Sequence, residues 1–242
     1  MAYTGNDLEG LQGGPVILAL ETATMCGSIA IVAERQCLAE FSLQTKETHS
    51  RRLLAGVDWI FGEASLDWPD IDAIAVSLGP GSFTGLRIAL STAKGLALAS
   101  GKKMLGVGTM DGLAAQMFGA RQLICPVLDA RKNEIYCGLY RCNEQGIPQR
   151  QGDYLVLKPE ELCERVKEPV ILLGDGTTTY GDVFVEHLGN LVTMAPMGSY
   201  FPRASTIGLL AVDKWQSKEF LDPAAVEPIY IRPSEAELLY GK

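Results

Sequence analysis

The feature that most constrains this chain is a strand pattern that occurs twice. Two apolar runs, 16–20 and 123–128, each end in a leucine followed by an acidic residue, Glu21 in the first and Asp129 in the second. A short polar turn and another apolar segment follow in both places, and this order predicts a β-hairpin. A third strand at 37–43 extends the first hairpin. The repetition indicates an ancient duplication, and hence two lobes that face a cleft.

Strands and helices alternate along the rest of the chain, which favours an α/β fold with helices covering the sheets. We expect a first lobe at 15–108 and a second at 109–221, with a helix at about 204–217 that can pack back on the first lobe. Residues 1–14 are predicted to be a flexible leader and 222–242 an extended tail. Further strands are predicted at 71–77, 103–107, 135–140 and 170–173 and near Tyr154. Helices are predicted at 50–63, 83–100, 110–118, 159–166 and 204–215, and one more helix should run toward His187.

The segment 77–87 is a glycine-rich turn between a predicted strand and a predicted helix. Backbone N–H groups at the start of a helix can hold an anion. The residues of this turn are therefore candidates to face a phosphate or a nucleotide: Gly79, Gly81, Ser82, Thr84 and Gly85. The segment is neither a P-loop nor a dinucleotide fingerprint, because it lacks the lysine of the first and the glycine spacing of the second. The alternative is a tight turn whose glycines serve positive φ angles and close packing.

The helix at 84–100 has an unusual density of small side chains, among them Ala89, Ala93 and Ala97. Small side chains allow a second helix to approach closely. Gly95 costs about 1 kcal/mol relative to alanine inside a helix, so close packing is a reason to keep it. We expect this helix to contact a partner. The alternative is that it packs under its own sheet.

The helix at 50–63 carries apolar residues at the spacing of an amphipathic helix, with charged residues on its other face. Three residues of its apolar stripe are Leu53, Val57 and Ile60. We expect these residues or their neighbours to lie beside the small-residue helix and to share the contact with the partner.

Charge and cysteine content narrow the function further. The 242 residues carry 29 acidic and 21 basic side chains, a net charge of −8, which opposes binding of nucleic acid by the chain alone. The six cysteines show no spacing of a zinc site, so no metal is predicted, and free thiols favour the cytoplasm. No apolar run reaches the roughly 18 residues of a membrane span. Four cysteines in or beside apolar runs are expected to be buried: Cys26, Cys37, Cys125 and Cys137.

Four segments, in this order, resemble the bacterial TsaB family of tRNA threonylcarbamoyladenosine biosynthesis, also called YeaZ. They are 16–22, 78–99, 106–109 and 126–131. The resemblance spans about residues 16–232, and the glycine-rich segment is its most specific part. It implies the two-lobed fold of actin, sugar kinases and the Hsp70 ATPase, in which each lobe is a mixed sheet flanked by helices.

The resemblance also implies a non-catalytic role without a cofactor. The catalytic relative TsaD has a metal-binding H-x-x-x-H pair, and Thr109 and Leu113 stand at the matching positions here. The implied partners are a TsaD-type protein in a heterodimer and a TsaE-type ATPase. A second copy is expected to pair with the isolated chain, tRNA to bind only through the complex, and no membrane to be involved.

Two other functions remain open at this point. An ATP-dependent phosphotransferase of the same fold would have to use Glu21 or Asp129 as its catalytic acid. A peptidase acting on the partner would need a nucleophile, for which Ser82 with His49 is the conceivable pair. The sequence lacks the G-x-S-x-G motif that would favour such a serine.

Overall fold

The computed structural model describes residues 13–44 and 49–232, so most of the predicted leader and the last part of the predicted tail lie outside the described residues. The first lobe has the order βββαβαβ. Its elements are β1 (Val16–Glu21), β2 (Cys26–Ala33), β3 (Gln36–Gln44), α1 (His49–Ala64), β4 (Ala73–Ser77), α2 (Phe83–Ser100) and β5 (Lys103–Val107).

The first sheet has the strand order β3-β2-β1-β4-β5. Strands β1, β2 and β3 form the predicted antiparallel meander, whereas β4 and β5 run parallel to β1. All five residues of β4 are buried, which explains why 73–76 is apolar at every position instead of alternating. Helix α2 ends at Gly101, whose φ of 71° is the left-handed cap that the sequence predicts.

The second lobe begins with α3 (Thr109–Ala115) and then repeats the order of the first lobe, except that two short strands are inserted before its third matching strand. Its strand order, β10-β7-β6-β11-β12, matches the first sheet strand for strand, including antiparallel and parallel neighbours. The predicted duplication is therefore confirmed at the level of topology. The remaining elements are β6 (Leu123–Arg131), β7 (Glu134–Cys137), β8 (Tyr140–Cys142), β9 (Pro148–Arg150), β10 (Leu155–Leu157), α4 (Pro159–Arg165), β11 (Val170–Leu173), α5 (Gly176–Leu188), β12 (Val192–Met194) and α6 (Ala204–Gln216).

Helices cover both faces of the first sheet. Helices α1 and α2 pack on one face, over a core that includes Leu18, Ile31 and Val76. Helix α6 packs on the opposite face, over Ile17 and Val32 among others, so the chain returns to the first lobe after completing the second. In the second lobe α4 and α5 bury one face of the sheet and α3 the other. No helix among the described residues is long and apolar enough to cross a membrane.

The structure contradicts the expectation that the six residues named for the partner contact form a surface. All six side chains belong to the core of the first lobe and are at most 4% exposed: Leu53, Val57, Ile60, Ala89, Ala93 and Ala97. The reason is geometric, because positions four residues apart share one face of a helix, and in α2 that face lies on the sheet. The alternative stated above, packing under the chain's own sheet, holds for these side chains.

All six cysteines are free thiols, but they differ in how far they are buried. Cys26, Cys125 and Cys137 are buried as expected. Cys37 is exposed, which contradicts the expectation, because it lies on β3 at the edge of the first sheet. Within residues 13–44 and 49–232, no group of three or more His, Cys, Asp or Glu side chains could hold a metal ion.

Candidate functional site

The two lobes enclose a cleft of ≈ 570 Å³, which is the candidate functional site. The first lobe contributes the turn after β1 and the glycine-rich turn before α2. The second lobe contributes the end of β6 and Asp175, the residue before α5. A segment close to the described end of the chain, 229–232, lines the cleft as well.

The glycine-rich turn fits closely against the turn after β1. A Cβ atom on Gly85 would lie 1.9 Å from the carbonyl oxygen of Thr22, and one on Gly81 would lie 2.7 Å from that of Ala23. The hydroxyl of Thr22 donates to the carbonyl of Gly85 (2.8 Å), and the N–H of Ser82 donates to the carbonyl of Ala23 (2.7 Å). These two glycines therefore permit close contact between two segments of the first lobe.

The five predicted residues of the turn divide into two groups. Gly81, Ser82 and Thr84 line the cleft. Gly79, with a φ of 113°, packs against Ile229 and Leu86, and Gly85 is buried under Thr22. The hydroxyl of Ser82 caps α2 by accepting the N–H of Gly85 (3.3 Å).

Glu21, at the end of β1, is fully buried. Its Oε1 accepts the N–H of Ala23 (2.6 Å) and the hydroxyl of Ser77 (3.1 Å), while its Oε2 has no hydrogen-bond partner among the described residues. Burial is the main reason that the pKa of this carboxyl rises from 4.5 to about 8; the charge of Asp175 contributes to the rise, and the hydrogen bonds from Ala23 and Ser77 oppose it. Glu21 therefore carries a proton at neutral pH, which stabilises it inside the protein.

Asp129 occupies the equivalent position of the second lobe, and its carboxylate is engaged by hydrogen bonds and by an ion pair. Its carboxylate accepts the N–H of Arg131 (2.8 Å) and pairs with the guanidinium of the same residue (3.0 Å). Tyr180 donates its hydroxyl to Asp129 (3.3 Å). Asp175 accepts the N–H of Asp129 (3.1 Å), and burial raises the pKa of the Asp175 carboxyl.

One polar cluster of the second lobe escaped the sequence analysis. The carboxylate of Asp111 on α3 accepts the hydroxyls of Tyr140 (2.6 Å) and Tyr154 (2.8 Å). The guanidinium of Arg150 lies 4.1 Å from the centre of the Tyr154 ring. The sequence gives no local signal for this cluster, because Asp111 is 29 residues from Tyr140 and 43 residues from Tyr154. Gly108 provides room for it, since a Cβ there would lie 1.9 Å from the Tyr154 hydroxyl.

The two positions that the resemblance aligns with the metal-binding histidines of TsaD are both buried. Thr109 is the first residue of α3 and Leu113 packs in the core between α3 and the second sheet. His187 is exposed in the last turn of α5. The side chain of His49 lies outside the described residues, so the pairing with Ser82 is not tested.

The outward faces of α1 and α2 form one surface, because both helices cover the same face of the first sheet. Three apolar side chains stand out on it: Leu54 (52% exposed), Trp59 (50%) and Leu98 (72%). On α2 the exposed small residues Ser91 and Gly95 lie one turn apart, and a Cβ on Gly95 would meet nothing within 4 Å.

Two lobes of equal topology around a cleft define the class of protein: the fold shared by actin, sugar kinases and the Hsp70 ATPase. A solved structure described as YeaZ from Pseudomonas aeruginosa has a TM-score of 0.74 and 30% identity, and the match covers 90% of this chain and 100% of that one.

Sequence comparison specifies the family. The model of the family "TsaD: tRNA N6-adenosine threonylcarbamoyltransferase" matches residues 37–240. The tRNA threonylcarbamoyladenosine biosynthesis protein TsaB of Escherichia coli is 31% identical over 226 residues, and that of Bacillus subtilis 30% identical over 223 residues; each match covers 91% of this chain and 96% of the relative. The chain belongs to the TsaB family.

Proposed function

We propose that this chain is the non-catalytic partner of a TsaD-type enzyme in the biosynthesis of threonylcarbamoyladenosine in tRNA. The relatives carry this pathway in their names. In the proposed complex the TsaD-type protein performs the transfer to the adenosine next to the anticodon, a TsaE-type ATPase supports it, and this chain is the platform. The complex acts in the cytoplasm, and tRNA binds through it.

The chemistry of the cleft supports a platform rather than a phosphotransferase or a peptidase. Glu21 is buried and protonated, and Asp129 is paired with Arg131, so neither acid is poised to activate a hydroxyl in the cleft. Ser82 uses its hydroxyl to cap α2. At the positions of the TsaD histidines, Leu113 offers no ligand atom and Thr109 is buried.

The observation that carries the proposal is the outward face of α1 and α2. Leu54 and Leu98 are large apolar side chains that are more than half exposed. The small residues Ser91 and Gly95 on the same face let a helix of the partner approach α2 closely. We place the contact with the TsaD-type protein on this face, and a second copy of the chain uses the same face when the partner is missing.

The test replaces Leu98 by Glu in the full chain and mixes the variant with a TsaD-type protein. We expect size-exclusion chromatography to show loss of the heterodimer, and the reconstituted system with the TsaE-type protein to lose threonylcarbamoyl transfer to tRNA. The melting temperature should stay unchanged because Leu98 is 72% exposed.

The matched control is Met197→Glu, since Met197 is 80% exposed and belongs to the segment between β12 and α6 rather than to α1 or α2. This control should keep both association and transfer. A Leu98→Glu variant that binds the TsaD-type protein as tightly as the control would refute the proposed surface. Transfer of threonylcarbamoyl by the isolated chain would refute the non-catalytic role.

A further inference from the structure

The chain that follows α6 does not end on the first lobe but crosses to the second. We call residues 221–232 the strap. Its first part is attached to the first lobe, where the N–H of Leu221 donates to the carbonyl of Met104 (2.9 Å) on β5. Farther along, the N–H of Ile229 donates to the carbonyl of Leu78 (2.7 Å), directly after β4. The strap therefore runs from the start of β5, at the edge of the first sheet, to the carboxyl end of the neighbouring strand β4.

Tyr230 fixes the strap to the start of α2. Its ring lies 4.9 Å from the ring of Phe83, measured between centroids. The guanidinium of Arg87 lies 3.8 Å from the centre of the Phe83 ring, and its Nε donates to the Tyr230 hydroxyl (3.1 Å). Stacking of this kind, together with a cation over an aromatic ring, stabilises a contact beyond the area that it buries.

Arg232 makes the contact with the second lobe. Its guanidinium pairs with the carboxylate of Glu134 on β7 (2.6 Å) and donates to the carbonyl of Ala130 on β6 (2.9 Å). The Arg232 side chain is 23% exposed, so solvent screens this pair less than it screens an ion pair on an open surface. The strap thus joins the glycine-rich turn of one lobe to the hairpin that opens the other.

The strap also forms a wall inside the cleft. Ile229 and Ile231 line both the interlobe cleft of ≈ 570 Å³ and a second cavity of ≈ 680 Å³, whereas Tyr230 and Arg232 line only the first. The lobes have a separate connection between α3 and α6, where a Cβ on Gly112 would lie 2.6 Å from the side chain of Ile207. Beside it, Gln116 after α3 donates its side-chain amide to the carbonyl of Phe201 before α6 (3.0 Å). Two attachments at different places oppose the rotation of one lobe against the other that hinged folds use to open and close.

We infer that the strap locks the two lobes in one relative orientation and holds the cleft closed, so that this chain presents its surfaces as one rigid body. The inference rests on the contacts of Ile229, Tyr230 and Arg232 and does not depend on the identity of the partner.

The experiment is hydrogen exchange by mass spectrometry on the full chain and on the variant Arg232→Ala. Loss of the lock should make amides on both walls of the cleft, 79–85 and 130–134, exchange about tenfold faster, since a hydrogen-bonded charge has been removed from the closed state. Exchange in the central strands β1 and β11 should stay unchanged. Glu134→Gln removes only the negative charge that pairs with Arg232, and it should also make the amides of both cleft walls exchange faster.

The matched control is Arg141→Ala, because Arg141 forms an ion pair with Glu168 that lies wholly within the second lobe. This control should leave the exchange of the segment 79–85 as in the unmodified chain. The inference is overturned if Arg232→Ala speeds exchange only in 130–134, because the contact of Arg232 would then affect only the second lobe. It is equally overturned if the exchange rates of Arg232→Ala and Glu134→Gln equal those of Arg141→Ala, or if exchange rises by the same factor in the cleft walls and in the central strands.

Discussion

Two glycines of the same helix test whether close packing shapes the glycine-rich turn. Gly85 lies in the first turn of α2, and a Cβ there would lie 1.9 Å from the carbonyl oxygen of Thr22. Gly95 lies later in α2, and a Cβ there would meet nothing within 4 Å. Replacing each by alanine adds the same atom to the same helix, so only the surroundings differ.

The expected magnitudes follow from these distances. Gly95→Ala should stabilise the chain by about 0.5–1 kcal/mol, because alanine loses less backbone entropy than glycine in a helix. Gly85→Ala has the same gain but must displace the backbone of Thr22, whose hydroxyl also bonds to the Gly85 carbonyl. Overpacking costs about 1–3 kcal/mol, so the two variants should differ by at least that amount, with Gly85→Ala the less stable.

Urea unfolding followed by circular dichroism measures the difference, since a shift of the midpoint at constant slope reports a change in stability. In thermal unfolding, each kcal/mol corresponds to about 2–4 °C for a chain of this size. Equal stability of Gly85→Ala and Gly95→Ala would refute the packing explanation. The glycines would then need another reason, and ligand binding to the turn would be the first to examine.

Three further predictions concern burial and charge. Glu21 stays protonated in the folded chain up to a pH of about 8 but ionises near 4.5 when the chain is unfolded. The free energy of unfolding should therefore fall by up to about 1.4 kcal/mol per pH unit between these values. Urea denaturation at several pH values should show a weaker fall for Glu21→Gln. Ala93→Trp should lower the melting temperature sharply, since Ala93 is fully buried; an unchanged melting temperature would contradict the placement of α2. In filter binding at about 150 mM salt the isolated chain should hold tRNA poorly, because its net charge of −8 repels phosphate, and sub-micromolar affinity would contradict the platform role.

The elements with strong local signals could be predicted from the sequence. Helix α2 and strands β5 and β11 have the predicted bounds, because glycines, a proline or charged residues interrupt an otherwise apolar run at their ends. The duplication could be predicted from the two runs that end in Glu21 and Asp129. Strands β8, β9 and β12 could not, since each has three residues, too few to show a period of two.

The faces of the helices could not be predicted as well as the helices themselves. Helix α2 is apolar or small around most of its circumference, so the sequence does not distinguish the stripe with Ala93 and Ala97 from the one with Ser91 and Gly95. Contact with the first sheet determines which stripe is buried, namely the one with Ala93 and Ala97. The strap has no local signal either, because the contacts of Tyr230 and Arg232 join residues far apart in the chain.

The second lobe shows that the glycine-rich turn is a requirement of the fold before it is a requirement of any ligand. Gly174 follows β11 as Gly79 follows β4, and both have a φ above 100°. A Cβ on Gly174 would lie 2.2 Å from the carbonyl oxygen of Val127 in β6, and one on Gly176, the first residue of α5, would lie 3.0 Å from the same oxygen. In each lobe, therefore, a glycine at or near the start of a helix lets the backbone approach the first strand of the sheet or the turn that follows it.

The candidates for ligand contact are then the other residues that line the cleft, and their charges disfavour a bare phosphate. An anion held at the start of α2, beside Ser82 and Thr84, would share the cleft with Asp129 and Asp175 of the second lobe. The Asp129 charge is balanced by Arg131, but Asp175 has no ion pair among the described residues, and burial raises the pKa of its carboxyl. A bound phosphate would add negative charge beside these carboxyl groups, and the two arginines that line the cleft, Arg131 and Arg232, already pair with Asp129 and Glu134. The described walls of the cleft therefore have the two-lobed architecture of a nucleotide clamp, but the two cations that line it are engaged by carboxylates of the second lobe.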